Sequence, residues 1–154
     1  MGERTQEAVF EDFLQHVVEG LGLDARVEVA VEDDGGLVGT LHGEDLGIFI
    51  GRHGQTIDAV QHLAQRIVLA DPTVERRRIV VDAEGYRARR REALEKQADQ
   101  AAADAQRYGR PVALDAMTAS ERKLVHEYLR ERGGVETHSE GEEPERHLVV
   151  TPER

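Results

Sequence analysis

Two short patterns in this chain place residues where they could hold a phosphate. The first is Gly51-Arg52-His53-Gly54, two glycines bracketing a guanidinium and an imidazole. Glycine opens backbone angles closed to other residues and lets another backbone come near, while a helix that follows offers unpaired amides and the positive end of its dipole. Arg52 and His53 add donors at the tip. The second pattern is Arg122 and His126, four apart and therefore one turn along a helix face, with Lys123 beside them. Each pattern also has an ordinary explanation. Gly-x-x-Gly serves as a plain tight turn in a chain with 15 glycines. Arg122 could pair with Glu121 or with an acid of the 140s on a solvated helix face. A P-loop is excluded because Gln55 stands where its lysine belongs, and a dinucleotide fingerprint because Phe49 stands where its first glycine belongs.

The surrounding sequence predicts the elements that position these residues. Thr5 to Gly20 reads as an amphipathic helix, with Phe10, Leu14 and Val18 on its apolar face. Val27, Val29 and Val31 alternate with polar or small residues as in a strand, and Asp33-Asp-Gly-Gly36 turns the chain into a second strand, Leu37 to His42. Leu46, Phe49 and Ile50 precede the glycine corner at helical spacing, and Ile57, Val60, Ala64, Ile67 and Val68 follow it likewise. Pro72 stops that helix, and Arg77 to Asp82 reads as a third strand. From Glu84 to Tyr108 a helix carries a stripe of alanines, Gly109 caps it, and Pro111 to Leu114 reads as a short strand. Thr118-Ala-Ser-Glu121 is a capping box opening a helix to about Arg132, expected to bury Leu124, Val125, Tyr128 and Leu129 and to expose Arg122 and His126. Val135 to Glu140 and Arg146 to Thr151 form a closing hairpin around an acidic loop.

Composition narrows the functional class. With no cysteine, disulfides, thiol catalysis and cysteine-ligated zinc are excluded. No run of about 18 apolar residues is present, so the reading is a cytoplasmic protein without membrane insertion. The net charge of −11 opposes nucleic-acid binding at first sight, because phosphate affinity comes mainly from cationic contacts. The distribution qualifies that objection. Residues 1–49 are strongly acidic, and the one net-basic stretch, 50–92, begins at the glycine corner and carries Arg52, Arg66, Arg76, Arg77, Arg78, Arg87, Arg89, Arg90 and Arg91.

The order helix, strand, strand, helix, Gly-x-x-Gly, helix, strand over residues 5–84 resembles the type II KH domain, an αββααβ fold with helices on a three-stranded sheet. That resemblance implies a groove for single-stranded nucleic acid. Gly51, Arg52, His53 and Gly54, with Gln55 beside them, would face the sugar-phosphate backbone, and Ile50 and Ile57 would border the bases. Downstream, Glu121-Arg-Lys-Leu-Val-His126 and the Gly134 to Arg146 stretch are similar to the R-three-H domain, a small sheet packed with helices and associated with single-stranded nucleic acid. The two together, KH over 1–84 and R-three-H over 85–154, resemble the bacterial Jag/KhpB family. The fold class expected is α+β.

The resemblance implies an RNA-binding regulator or chaperone acting with a small KH-only partner, KhpA, and linked to cell elongation, division and envelope synthesis. Within it, Arg122 would contact phosphate, His126 would hydrogen-bond or stack, and Lys123 would support them. Longer family members begin with a further domain, so the reading here is a short form. RNA against DNA stays open. An enzyme reading, with His138, Glu140, Glu142 and His147 as metal ligands, lacks any catalytic spacing, so no catalytic residue, metal or cofactor is expected. The remaining alternative is an adaptor recruiting a protein partner through its acidic first helix or sheet edges.

Overall fold

The computed structural model describes residues 3–154 and divides into two compact units, one up to Arg87 and one from Ala88. In the first unit, α1 (Gln6–Gly20) starts where the Thr5 hydroxyl accepts the Ala8 amide at 3.1 Å, satisfying a donor that the helix itself cannot. Its face of Phe10, Leu14 and Val18 is buried. β1 (Ala25–Val31) and β2 (Leu37–Gly43) pair antiparallel, Val29 opposite Gly39, through a turn in which Asp34 Oδ1 accepts the Gly36 amide at 2.8 Å. The chain then runs through α2 (Gly47–Ile50), a single 3-10 turn (Arg52–Gly54) and α3 (Gln55–Val68) to reach β3 (Ile79–Ala83), which lies parallel to β2 with Val81 opposite Gly39. A parallel neighbour requires a long crossover, which these helices supply. The sheet order is β1-β2-β3, and Phe10, Leu14, Leu41, Phe49, Ile57 and Val81 are among the side chains buried in its core.

The third strand starts at Ile79 rather than at Arg77. The Arg77 guanidinium instead donates to the Gly35 carbonyl at 2.6 Å and to Glu7 at 2.9 Å, tying the strand entry to the hairpin and to α1.

α4 (Tyr86–Tyr108) runs on into the second unit, where Leu94, Ala98, Ala101, Ala102 and Ala105 are buried in a separate core. After β4 (Val112–Ala113) comes α5 (Ala119–Arg132), then β5 (Val135–Glu140) and β6 (His147–Pro152), in an antiparallel sheet ordered β4-β6-β5. The capping box forms: Glu121 N–H donates to Thr118 Oγ1 at 3.3 Å, and Thr118 N–H donates to Glu121 Oε2 at 3.2 Å. Among the described residues no helix is long and apolar enough to cross a membrane.

Candidate nucleic-acid interface

The glycine corner is built from backbone conformations that few side chains tolerate. Gly51 sits at φ 74°, ψ 178°, a region open essentially to glycine alone, and a Cβ there would lie 2.2 Å from Thr56 Oγ1. Gly54, at φ 78°, ψ 15°, precedes α3, is buried, and has its missing Cβ replaced in space by the Tyr86 hydroxyl, 2.7 Å from where it would stand. His53 between them is also left-handed, at φ 55°. Gly54 has no side chain with which to cap α3, so the helix opens toward the loop with its dipole uncovered. Arg52, His53 and Gln55 are exposed, and among the described residues neither the Arg52 nor the His53 side chain has an intramolecular hydrogen bond or ion pair.

One nearby negative charge is neutralised. Asp58, in the first turn of α3, accepts from Arg87 Nη1 at 3.0 Å, while Arg87 also donates to Gln61 Oε1 at 3.0 Å and to the Val81 carbonyl at 2.7 Å. An unpaired carboxylate there would oppose an incoming phosphate. Arg87 therefore serves the loop without facing it. No local pattern announces Tyr86 and Arg87 as partners of the corner, because their pairing with it is tertiary.

Two of the expected residues are placed otherwise. Ile57 is fully buried in the first core and does not border the groove; the helical period shows that a face is apolar, not whether that face meets a base or the sheet. Ile50 is half-buried and packs in part against the same core.

Arg122 is 8 % exposed, not on the solvated face expected for it. Its Nη1 donates to the Met117 carbonyl at 2.6 Å and its Nη2 to Glu143 at 2.5 Å. The acid from the 140s captures it, and α5 buries Arg122, Val125 and Leu129, while Leu124 and Tyr128 are only half-buried. His126 is exposed and its Nδ1 hydrogen-bonds the Thr137 hydroxyl of β5, which sets the ring's orientation. Lys123 is exposed with no ion pair among the described residues. The arrangement is thus a buried arginine held by two acceptors, an oriented imidazole and an exposed, unpaired ammonium.

Much of the basic stretch is likewise engaged within the protein. Arg77 holds the Glu7 carboxyl below the usual carboxylate range by hydrogen bonding to it, Arg78 approaches Asp34 at 3.5 Å, Arg90 grips Glu121 at 2.8 and 3.3 Å, and Arg91 meets Glu95 at 3.1 Å. Arg52, Arg66 and Arg76 are exposed without an ion pair among the described residues. Nor do three or more potential metal ligands converge anywhere among them.

Comparison with known proteins finds relatives of both units. A family model described as the KhpA/KhpB KH domain matches residues 11–81, and one for the R-three-H domain matches residues 92–152. The RNA-binding protein KhpB of Clostridium symbiosum is 35% identical over 153 residues, covering 99% of this chain and 68% of that protein. KhpB of Lactiplantibacillus plantarum is 38% identical over 141 residues, 90% of this chain but 42% of its own length, and KhpB of Bacillus subtilis is 31% identical over 145 residues, 92% and 68%. None of these names or models describes a reaction. By its two domains, and by identity along nearly its whole length, the chain belongs to the KhpB family.

Proposed function

We propose that this protein binds single-stranded RNA without catalysing a reaction. The observation that carries the reading is the corner at Gly51–Gly54: left-handed backbone at the mouth of an uncapped helix, with Arg52 and His53 exposed and uncommitted. Backbone amides and cationic tips suit a sugar-phosphate chain of any sequence. On α5, Lys123 and His126 face the ligand, and Arg122 acts from beneath by holding the loop that carries Glu143. A cytoplasmic location goes with this reading, and a role in envelope synthesis rests on the family resemblance alone.

The test is fluorescence anisotropy with a labelled single-stranded RNA. Arg52→Asp with His53→Asp is expected to weaken binding across unrelated sequences while the circular dichroism spectrum stays that of the parent. Neutralising Arg52 by Gln should flatten the slope of log affinity against log salt by about 0.7 for one lost phosphate contact. Unchanged affinity in the Asp variant would remove the corner from the binding surface.

A protein partner is favoured by a separate observation. Leu63 and Ile67, one turn apart on α3, are 51% and 42% exposed. The occupant suggested is a small KH protein of the KhpA kind, since the matching KH model is named for both proteins. Leu63→Glu should abolish co-elution with the KhpA of the same genome on size exclusion. A complex that survives the substitution excludes this face.

A further inference from the structure

At the C-terminal end of α4, inside the second unit, lies a cluster that neither site above uses. Tyr108, the last residue of the helix, is 55% exposed. The guanidinium carbons of Arg107 and Arg110 stand 5.3 and 5.5 Å from the centre of its ring. Gly109, at φ 64°, ends the helix between them, its amide donating to the Ala105 carbonyl at 2.9 Å. That left-handed residue turns the chain at once, which is how Arg110 comes back over the ring of a residue only two positions earlier.

Packing does not explain this arrangement. Tyr108 is outside the second core, whereas the unit's other tyrosine, Tyr128, packs against that core and donates its hydroxyl to Asp99 at 2.8 Å. Nor does charge pairing explain it. Among the described residues Arg107 and Arg110 meet no carboxylate, in contrast to Arg90, Arg122 and Arg132 of the same unit. The cluster therefore offers an exposed aromatic ring and two guanidinium groups held by no carboxylate at one point of the surface.

We infer that Tyr108, Arg107 and Arg110 form a platform on which one base of single-stranded RNA stacks, the two arginines reaching the phosphates on either side. This rests on the RNA-binding reading above and adds a contact to it. Unpaired bases stack on tyrosine rings and guanidinium planes, whatever their identity, because every base has a π face. The arginines' present hold on an exposed ring is weak and readily exchanged. An acidic peptide would use the guanidinium groups and leave the ring idle; a nucleotide uses all three.

The experiment measures affinity of the full chain for a labelled single-stranded RNA and for an abasic strand of equal length. Tyr108→Ala is expected to weaken binding of the base-bearing strand at least about fivefold, the lower end of what a stacked base contributes, and to leave the abasic strand unaffected. Tyr108→Phe should bind as the parent does. Arg107→Gln with Arg110→Gln should flatten the salt slope by about 0.7 for each lost phosphate contact. Melting temperatures serve as the control for folding. Parental affinity in Tyr108→Ala overturns the platform, as does equal weakening of both strands, and so does an acidic peptide that displaces the RNA from the parent but not from the Arg107→Gln, Arg110→Gln chain. If the parent protein binds no RNA at all, it is the functional reading that fails, and the platform falls with it.

Discussion

Arg122 shows how the charge of a side chain can be plain from the sequence while its place is not. A guanidinium withdrawn from water must have its charge and donors met, and here the Met117 carbonyl and the Glu143 carboxylate meet them. Removing it leaves a carbonyl without its donor and a space beneath α5. Arg122→Ala is therefore expected to destabilise the protein by about 2–4 kcal/mol. Glu143→Gln should cost only about 1 kcal/mol, because the Glu143 side chain is 57% exposed and water replaces part of what the ion pair supplied. Urea unfolding measures both. An Arg122→Ala chain as stable as the parent would return that arginine to the surface role first expected of it. The distinction matters for interpreting binding data, since lost RNA affinity in an Arg122 variant reports a disturbed loop before it reports a missing phosphate contact.

Among the elements, α1 and β2 meet at a point where only glycine fits. A Cβ on Gly39 would lie 2.4 Å from Leu14 Cδ1 and 2.6 Å from Phe10 Cζ, so the apolar face of α1 rests directly on the strand backbone. β1 and β3 both flank that residue, with Val29 and Val81 opposite it. Gly39→Ala should cost about 1–3 kcal/mol by overpacking, read as a lowered melting temperature. No change would mean that α1 can lift from the sheet without loss. The same layering bears on the corner. α2 and α3 form the crossover between β2 and β3, and buried Phe49 and Ile57 anchor the two helices on either side of Gly51–Gly54. Loop shape is thus imposed from both ends by the core, and Arg52 and His53 remain uncommitted because the anchoring is apolar.

Across the whole chain, what could be read in advance was what depends on near neighbours. Helical spacing, valine alternation, the Asp33–Gly36 turn, the Thr118–Glu121 box and the glycine corner are all settled within a few residues, and the order of these elements sufficed for the KH and R-three-H resemblance. What escaped depends on partners far along the chain: Gly54 on Tyr86 and Asp58 on Arg87. For Arg122 the acid of the 140s is among the partners the sequence offers, and only the choice of Glu143, with the burial that goes with it, is tertiary. Ile57 escaped for a different reason, since one apolar stripe describes a core residue and a groove residue alike. The basic stretch was visible, but its internal use was not. Arg77, Arg87 and Arg90 largely serve the fold, so the acidic excess is met by fewer outward cations than the sequence suggests. The contact between Gly54 and Tyr86 also gives the protein an optical signal of its own. The chain has no tryptophan and only three tyrosines, so with Tyr108 and Tyr128 changed to phenylalanine its ultraviolet emission would come from the one ring that touches the corner. Occupancy of that corner can then be followed as a change in brightness, with no dye attached to either molecule.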